Sequence, residues 1–486
     1  MIYKLRPYQE ECVKSISDYI NSDRHDPVLV IGPVGCGKSI LIAEAARLMG
    51  DKTLVLQPSR ELLIQNHDKI TSYGIPAAIY SASCGKKELS NMIYATLGSI
   101  KKVVGQLKEM GIRNVLIDEA HAGYSPEDGS EFMTFMNELK PKKVIGFTAT
   151  PCRLKTMSIG QVSYSQLNFI TRMRPVYFKN LIHVIQVEEM IRQGFWTPIE
   201  YETWDFNGDA LKLNSNGSEY TAESISEAVR KNGLNNLILR RLMVLKDVCR
   251  SILVFMDSVE SCNTAAEWMN AKICAGMAEV VHGGTPKRQR EAIVERFKSG
   301  GTQVVFNYSA LGTGFDHPGL DCVVFGRPTF SFSTWYQAIG RAVRIKDGKD
   351  SAMVVDCCDN SSRFGDIRGL SIENYKGYGW GMFIGDKLIT NIPMGDKVTK
   401  TDLDIKAAKK DRRRGLAQGI TASPIPGRPD HPLGSTVMTF GKYCGWMLHS
   451  IPVSYFKFIN ETFDWDNDRN KDIKEYIDFL IKNNRL

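Results

Sequence analysis

The chain has 486 residues, which is too long for one ordinary hydrophobic core and predicts two or three domains. Hydrophobic residues make up 43% of it and charged residues 24%, as in a soluble globular protein. No apolar run is long enough to span a membrane, so a membrane-spanning protein is excluded. The net charge of +8 permits a polyanionic partner without requiring one.

The amino terminus and the cysteines indicate the cellular compartment. Residues 1–10 carry charge and proline and lack the apolar core of a signal peptide, so we expect a cytoplasmic protein of a bacterial or phage-infected cell. The 11 cysteines are scattered without a CxxC pair, and the adjacent Cys357 and Cys358 are poorly spaced for sharing a metal. We therefore expect reduced, mostly buried thiols and no structural zinc.

Short apolar runs alternate with helix-like stretches through residues 1–155. The predicted strands are Val28–Ile31, Thr53–Leu56, Met92–Leu97, Val115–Asp118 and Val144–Phe147. The predicted helices between them include Ile40–Leu48 and Arg60–Tyr73. This alternation predicts an α/β domain with a parallel sheet and helices on both faces.

A less regular connecting segment, residues 156–240, contains a polar stretch at 207–221 that is typical of a loop. The strand–helix alternation then returns over residues 241–370. The second set of predicted strands is Ile252–Met256, Val280–His282, Gln303–Asn307, Cys322–Gly326 and Ala352–Asp356, with helices at Asn263–Ala271 and Pro286–Lys298. The predicted fold is therefore two parallel-sheet α/β domains in tandem.

After residue 370 the composition changes. Four glycines interrupt any regular pattern at Gly377, Gly379, Gly381 and Gly385. We assign residues 371–434 to a linker region, which contains the basic stretch 406–415 and a Pro/Gly-rich stretch at 423–434. Residues 435–486 form a small module rich in aromatics, and we expect those aromatics to be its core. The alternative is that Lys442, Tyr443 and Trp446 present a nucleic-acid or partner surface.

"GPVGCGKS" (32–39) follows a predicted strand and opens a predicted helix. It fits the phosphate-binding template G-x-x-x-x-G-K-[ST], in which Gly35 and Gly37 let backbone amides turn toward phosphates. Lys38 would bind the β- and γ-phosphates, and the Ser39 hydroxyl would ligate magnesium. The residues proposed to surround the nucleotide here are Gly32, Gly35, Cys36, Gly37, Lys38 and Ser39. The alternative is a glycine-rich turn that binds nothing.

"DEAH" (118–121) ends another predicted strand. A phosphate-loop enzyme needs a carboxylate there to hold magnesium and an acid to polarise the attacking water, tasks that suit Asp118 and Glu119 respectively. A zinc site is disfavoured because no second histidine lies at ligand spacing nearby.

Three further motifs follow strands or lie on a helix. "FTATP" (147–151) places Thr148 and Thr150 at a strand tip, and "NYSALGTGFDHPG" (307–319) is a polar turn that could lie against phosphates. "QAIGRAVR" (337–344) places Gln337, Arg341 and Arg344 on one helical surface. Such arginines are either a solvated face or fingers that stabilise charge on a transferred phosphoryl group.

Taken in order, these motifs resemble the series found in superfamily 2 helicases. The series is "RPYQ" (6–9), "GPVGCGKS", "PSREL" (58–62), "DEAH", "TAT" (148–150), "GTGFD" (312–316) and "QAIGRAVR". "LRPYQEECV", "ELLIQNH" (61–67) and "LGTGFDHP" are most similar to RadD-like helicases, and UvsW-type phage helicases and restriction translocases are more distant. The resemblance implies two RecA-like domains that use ATP and Mg²⁺.

The resemblance also implies roles for individual residues. Adenine would be recognised by Arg6 and Gln9. The residues that would couple the ATP site to the nucleic-acid track are His121, Thr148 and Thr150. Gly314 and Asp316 would sense nucleotide across the cleft, while Gln337, Arg341 and Arg344 would act in hydrolysis. The candidates for contacting a nucleic-acid strand are Arg60, Thr96, Gly283, Thr285 and Thr313, although a loop threonine is commonly a cap or turn residue.

We therefore expect an ATP-dependent DNA helicase or translocase that acts on single-stranded or branched DNA in recombination, repair or replication. It could be phage-encoded and work with single-strand-binding or recombination proteins, without a membrane. The alternatives are a double-stranded DNA translocase that never separates strands, an RNA helicase, and an ATP-gated binding module. The chain lacks the cysteine-rich zinc tail of RadD-like proteins. Its end, 438–459, instead resembles a small "FGK-x-x-G" module found behind some exonucleases.

Overall fold

A computed structural model describes most of the chain. The described residues are 3–159, 162–215, 217–310, 317–376, 378–394, 396–407, 433, 436–439, 443–451, 453–462, 465 and 470–483. The molecule divides into two compact units, Met1–Lys400 and Thr401–Leu486. Within the described ranges, no helix combines the length and apolarity that crossing a bilayer requires.

The first half of the larger unit is built on a sheet whose strands are almost entirely apolar and buried. Its strands are β1 (Val28–Ile31), β2 (Thr53–Leu56), β3 (Ala78–Ser81), β4 (Lys86–Lys87), β5 (Met92–Ala95), β6 (Asn114–Ile117) and β7 (Lys143–Thr148). All pairings among them are parallel except that of β3 with the short edge strand β4. Continuous apolar runs of this kind belong to parallel sheets that are covered on both faces.

Helices cover this sheet and begin at recognisable signals. They are α1 (Pro7–Asn21), α2 (Lys38–Met49), α3 (Arg60–Thr71), α4 (Leu97–Ile100), α5 (Val104–Glu109) and α6 (Glu131–Leu139). Ser59 caps α3 by accepting a hydrogen bond from the Leu62 amide, and Ser130 caps α6 by accepting one from the Met133 amide. The five strands predicted in this half correspond to β1, β2, β5, β6 and β7, with shifts of up to two residues at their ends.

The segment 156–240, which we expected to be irregular, is largely regular, and that expectation was wrong. An antiparallel hairpin is formed by β8 (Cys152–Ile159) and β9 (Val162–Phe169). The chain then adds β10 (Asn180–Val184) to the first sheet beside β1, and forms α7 (Val187–Arg192). The first sheet thus has the order β10-β1-β7-β6-β2-β5-β3-β4. The sequence did not predict these short strands, which are flanked by polar residues, because edge strands need little apolar alternation.

A second parallel sheet forms the other half of the unit. Its strands are β11 (Ile199–Thr203), β12 (Ile252–Phe255), β13 (Ala278–His282), β14 (Val304–Tyr308), β15 (Cys322–Phe325) and β16 (Ala352–Asp356), in the order β11-β16-β15-β12-β14-β13. Its helices are α8 (Ala222–Lys231), α9 (Leu234–Val248), α10 (Val259–Lys272), α11 (Lys287–Ser299), α12 (Phe332–Ala342) and α13 (Asn360–Phe364). The predicted class, two tandem parallel-sheet α/β domains, is confirmed.

Residues 370–399 form an antiparallel sheet, so our expectation of a linker interrupted by glycines was wrong over this range. The sheet contains β17 (Leu370–Tyr375), β18 (Gly379–Ile384), β19 (Lys387–Leu388) and β20 (Val398–Thr399) in sequential order. Gly381 lies inside β18, where an added Cβ would lie 3.0 Å from Tyr378 and 3.1 Å from Leu388. Its neighbours fill the space that a side chain would occupy, and glycine is therefore accommodated in a strand here.

The smaller unit contains α14 (Val453–Thr462) and α15 (Lys471–Lys482). Its core includes Phe456 and Tyr476, which are buried, as we expected for its aromatics. Trp446 and Phe458 instead are 51% and 57% exposed, so those two do not belong to the core. Phe440, Lys442 and Phe463 lie outside the described residues, as do residues 408–415 of the basic stretch.

Gly146, within β7, lies in a closely packed part of the first sheet. An added Cβ would lie 2.8 Å from Phe178 Cζ and 2.9 Å from both Ala120 Cβ and Leu29 Cδ2. Gly146→Ala should lower the free energy of unfolding by about 1–3 kcal/mol because this core cannot expand freely. Urea denaturation followed by circular dichroism measures the change. The control is Gly105→Ala in α5, where nothing lies within 4 Å. Equal destabilisation by both variants would contradict the prediction.

Candidate active site

The phosphate-loop motif connects β1 to α2 and has the backbone shape that its glycines allow. Gly35 and Gly37 have φ values of +80° and +82°, in the left-handed region that favours glycine. Gly32 is also constrained, because an added Cβ would lie 2.7 Å from Cys36 Sγ. Lys38 is the first residue of α2. The loop therefore ends at a helix amino terminus, where backbone N–H groups attract anions.

Two carboxylates lie where β6 ends. Asp118 is 3% exposed and accepts hydrogen bonds from the Asn66 side chain and the Glu119 amide, both at 2.9 Å. Glu119 has a φ of +45°, and its Oε1 lies 2.5 Å from Lys38 Nζ. A left-handed conformation is costly for a non-glycine residue and is common at functional sites. The two acids and the phosphate-loop lysine thus form one buried charged group.

Burial and proximity shift the pKa values of this group in different directions. Burial, together with the neighbouring Glu119 carboxylate, raises the pKa of Asp118 to about 6. Burial alone would raise the pKa of Glu119, but the Lys38 ammonium and His121 together lower it. Burial would likewise lower the pKa of Lys38, but the Glu119 and Asp118 carboxylates raise it. At neutral pH, Lys38 and Glu119 are therefore held in their charged forms.

His121 connects this group to the end of β7. One ring nitrogen, Nδ1, lies 2.8 Å from Thr148 Oγ1, and the other, Nε2, lies 2.9 Å from Thr150 Oγ1. Burial lowers the pKa of His121 to about 4, so the ring is neutral at pH 7. The backbone carbonyl of Thr148 accepts from the Gly32 amide at 3.1 Å. Thr148 therefore contacts both the phosphate loop and the histidine.

Helix α12 of the second sheet domain brings arginines to the same cavity. Gln337, Arg341 and Arg344 line a cavity of about 360 Å³ together with Lys38, Ser39, Asp118 and Glu119. Burial lowers the pKa of Arg341 to about 10, and the Glu119 carboxylate partly offsets this effect. Burial also lowers the pKa of Arg344. This burial excludes the first of the two alternatives for these arginines, a solvated helical face.

The residues expected to recognise adenine lie at one side of this cavity. Arg6 lines it, with its guanidinium 4.4 Å from the centre of the Phe195 ring. Gln9 is only 2% exposed, and its side-chain amide donates to the Cys36 carbonyl at 2.9 Å. Gln9 therefore holds the phosphate loop in this conformation. The role expected for it in adenine recognition stays a prediction.

The expected nucleic-acid contacts are dispersed. Arg60 begins α3, and Gly283 is exposed after β13. Thr96 Oγ1 is hydrogen-bonded to the hydroxyls of Ser81 and Ser99. Thr285 is 6% exposed and its hydroxyl accepts from the His282 amide, as a turn residue does. Thr313, Gly314 and Asp316 lie outside the described residues.

Sequence reasoning missed several residues that shape the site. Asn66 orients Asp118, and Gln65 lies 3.5 Å from the Ser39 hydroxyl. Arg153 donates to the carbonyls of Ala120 and Tyr124 and thereby fixes the loop that follows "DEAH". The stretch "ELLIQNH" gives no local signal for the first two, because α3 carries polar residues along most of its length. No sequence signal indicated Arg153, because only the fold places the start of β8 beside that loop.

The residues present fit a magnesium–polyphosphate ligand. The cavity collects cationic side chains around turned backbone amides, which suits a polyanion; the five are Arg6, Lys38, Lys69, Arg341 and Arg344. The Ser39 hydroxyl and the Asp118 carboxylate supply hard oxygen ligands of the kind that Mg²⁺ prefers. Among the residues with described positions, no group of three or more His, Cys, Asp or Glu is arranged to hold a metal ion. All 11 cysteines are free thiols and most are buried.

Comparison with known proteins finds two family models that each match part of the chain. Residues 2–153 match the family model "Type III restriction enzyme, res subunit", and residues 235–346 match "Helicase conserved C-terminal domain". IRC3 of Saccharomyces cerevisiae, named as an inferred ATP-dependent helicase, is 23% identical over 378 residues, covering 74% of this chain and 52% of that protein. A "51.5 kDa protein" of a Lactococcus phage is 23% identical over 332 residues, covering 68% of this chain and 65% of that protein.

A solved structure shows the same fold. The ATP-dependent Type ISP restriction-modification enzyme LlaBIII, bound to DNA, superposes with a TM-score of 0.54 at 15% identity, covering 87% of this chain and 31% of that one. The residues matched by the first family model, 2–153, lie in the first sheet domain, and those matched by the second, 235–346, lie in the second sheet domain. The chain spans about half to two-thirds of the length of the relatives described above.

Direct packing of the phosphate loop against α12 yields a stability prediction. A Cβ on Gly340 would lie 2.1 Å from Val34 Cγ2 and 2.3 Å from Val34 Cβ. Gly340→Ala should lower the free energy of unfolding by about 1–3 kcal/mol because the two backbones must separate. In the double variant with Val34→Gly, the loss should be smaller than the sum of the single losses by about 0.5–3 kcal/mol. Urea denaturation of all four proteins measures this coupling, and strict additivity would refute direct packing.

Proposed function

We propose that this chain is an ATP- and magnesium-dependent DNA helicase or translocase that acts on single-stranded or branched DNA. One observation carries the proposal: a single cavity is lined by Lys38, Asp118 and Glu119 from one sheet domain and by Arg341 and Arg344 from the other. A site divided between two domains couples hydrolysis to their relative movement, because bound ATP draws them together and its hydrolysis releases them.

Each group in the cavity has a chemical task under this proposal. Bound Mg²⁺ would supply charge neutralisation at the phosphate oxygens, held by Ser39 and Asp118. Lys38, kept cationic by its carboxylate neighbours, binds the β- and γ-phosphates. Glu119, kept ionised at neutral pH, orients and polarises the attacking water. Arg341 and Arg344 stabilise the charge that develops on the transferred phosphoryl group, and Gln337 assists beside them.

The contacts of Thr148 support a coupling role for the "DEAH" histidine. Thr148 is bonded through its carbonyl to Gly32 of the phosphate loop and through its hydroxyl to His121, which also contacts Thr150. A shift of the loop around phosphates therefore reaches Thr148, at the end of β7, through one hydrogen bond and His121 through a second. We propose that this path transmits the state of the nucleotide toward the nucleic-acid track.

The choice of DNA rests on the motif series and the family match. "RPYQ" and "LGTGFDHP" resemble the DNA-directed, RadD-like branch, and the first family model describes a restriction enzyme subunit. We propose a role in recombination, repair or replication, and the phage relative supports a phage origin. The rivals are a double-stranded DNA translocase without strand separation, an RNA helicase, and a binding module that does not hydrolyse ATP.

Steady-state ATP hydrolysis with four polymers tests the substrate. Single-stranded DNA, duplex DNA, forked DNA and a matched RNA are each added at saturation, at two salt concentrations, because phosphate contacts are salt-sensitive. We expect single-stranded or forked DNA to stimulate turnover most. Stimulation by RNA alone would overturn the DNA assignment, and stimulation by duplex alone would favour the translocase. Displacement of a labelled strand from forks with either overhang then separates unwinding from translocation.

Glu119→Gln tests the assignment of the water-activating residue. The variant removes the carboxylate that can polarise water but keeps side-chain size, so ATP binding should persist while DNA-stimulated turnover falls by about two to four orders of magnitude. Fluorescent-ATP binding and phosphate release measure the two properties. The matched control is Glu127→Gln, a solvated acid beyond the "DEAH" loop, which should be unchanged. Full turnover in Glu119→Gln would show that another group activates the water.

We further propose that the smaller unit adds a nucleic-acid contact through its exposed aromatics. Rings of Trp446, Tyr443, Tyr455 and Phe458 succeed one another at centroid distances of 5.5, 4.7 and 6.2 Å. Exposed rings stack on bases without regard to sequence. The double change Trp446→Ala and Phe458→Ala should weaken single-stranded DNA binding by about tenfold and leave turnover at saturating DNA intact. Unchanged affinity in a fluorescence-anisotropy titration would instead favour docking of a protein partner.

A further inference from the structure

A single segment, residues 185–198, connects the two sheets and passes beside the active site. It leaves the end of β10, which pairs with β1 at the edge of the first sheet. It reaches β11, which pairs with β16 at the edge of the second sheet. The segment, which we call the connector, includes α7 and the residues "RQGFWTP" (192–198). It contains no motif that the proposed function uses.

Two adjacent residues of the connector contact the two halves of the active site. The indole N–H of Trp196 donates to the carbonyl of Val34, in the phosphate loop, at 2.9 Å. The amide of Thr197 donates to the carbonyl of Val343 at 2.8 Å, and its hydroxyl donates to the carbonyl of Arg344 at 3.1 Å. Trp196 and Thr197 are only 2% and 3% exposed. These bonds are therefore shielded from competition with water.

The same loop residue also packs directly on the arginine helix. Val34 occupies the space where a side chain of Gly340 would lie, and the Tyr336 phenol has a hydrogen bond with the Val34 backbone. The loop is thus held against α12 on one side and against the connector on another. Neither Trp196 nor Thr197 is among the described side chains that line the cavity, so neither can contact phosphates there.

We propose that Trp196 is a positioning residue that sets the phosphate loop relative to Arg341, on α12, and Arg344, just after its end. The inference rests on the proposed ATPase function. The indole fixes the loop at Val34, and the next residue fixes the backbone that carries Arg344. Because consecutive Cα atoms are about 3.8 Å apart, the two anchor points cannot drift independently. Loss of the indole N–H leaves the Val34 carbonyl without that donor and lets the loop shift relative to the arginines.

The expected effect is on turnover more than on nucleotide binding. Arginines aimed at a transferred phosphoryl group act mainly in the transition state, so misplacing them lowers kcat with little change in KM. Trp196→Phe, which keeps an aromatic ring and removes the donor, should lower DNA-stimulated kcat about tenfold and change the KM for ATP less than about threefold. Thr197→Val, which loses only the hydroxyl bond, should show a smaller decrease in kcat.

Trp204→Phe is the matched control. Trp204 also donates its indole N–H, to Glu202 at 2.9 Å, but it lies after β11 and lines no part of this cavity. The Trp204→Phe variant should retain the wild-type kcat and the wild-type KM for ATP. Thermal unfolding of all variants shows whether the fold is intact. A wild-type kcat in Trp196→Phe, a loss confined to KM, or an equal loss in Trp204→Phe would each overturn the proposal.

A second readout does not depend on hydrolysis. Tryptophan fluorescence should change when Mg-ADP binds, because the Val34 carbonyl moves against the Trp196 indole. The change should be absent from Trp196→Phe and present in Trp204→Phe. Failure of the wild-type chain to hydrolyse ATP with any polymer would contradict the proposed function. The Mg-ADP titration would still test whether the Trp196 indole senses movement of the Val34 carbonyl. Persistence of the full change in Trp196→Phe would overturn the positioning role.

Discussion

Lys38 and Glu119 lie 2.5 Å apart in a largely buried cavity, and the rest of the site depends on that ion pair. Charges removed from water are costly unless each has a partner, and here the partners belong to different motifs of one domain. Asp118, beside them, cannot ionise as easily, which is why its pKa is raised to about 6. A polyphosphate with Mg²⁺ would give Lys38 a new partner, stabilise the Asp118 carboxylate and release Glu119 toward water.

The second domain adds positive charge to the same small volume. Burial lowers the pKa of Arg341 to about 10, and the nearby Glu119 carboxylate partly offsets this effect. The carboxylate is therefore shared between a lysine of one domain and an arginine of the other. Bringing the domains together without an anion would crowd these cations, whereas an anion between them favours closure. Electrostatics alone thus makes closure sensitive to the ligand, before any specific contact is considered.

The sequence predicted the parts of this molecule in which local chemistry decides structure. Apolar runs bounded by polar residues identified ten strands, and glycine spacing identified the phosphate loop, because glycine adopts without strain the positive φ found at Gly35 and Gly37. Motif order placed Asp118 and Arg341 in one site. The antiparallel sheet at 370–399 and the edge strands β10 and β11 were missed. The stability of these strands comes from partners distant in sequence. Asn66 and Arg153 were missed for the same reason, because only the fold brings them next to "DEAH".

The connector illustrates why such contacts matter for movement between domains. Gln186, at its start, exchanges two hydrogen bonds with the backbone of Ile372 in β17, at 2.8 and 3.1 Å. Trp196 and Thr197, at its end, hold Val34 and Arg344. A cleft that opens would break either the Val34 bond or the Thr197 bonds, because these two adjacent residues cannot follow both domains. The bond that breaks determines which domain carries the connector. Breaking at Val34 leaves the arginines and the connector together and frees the phosphate loop to release its nucleotide.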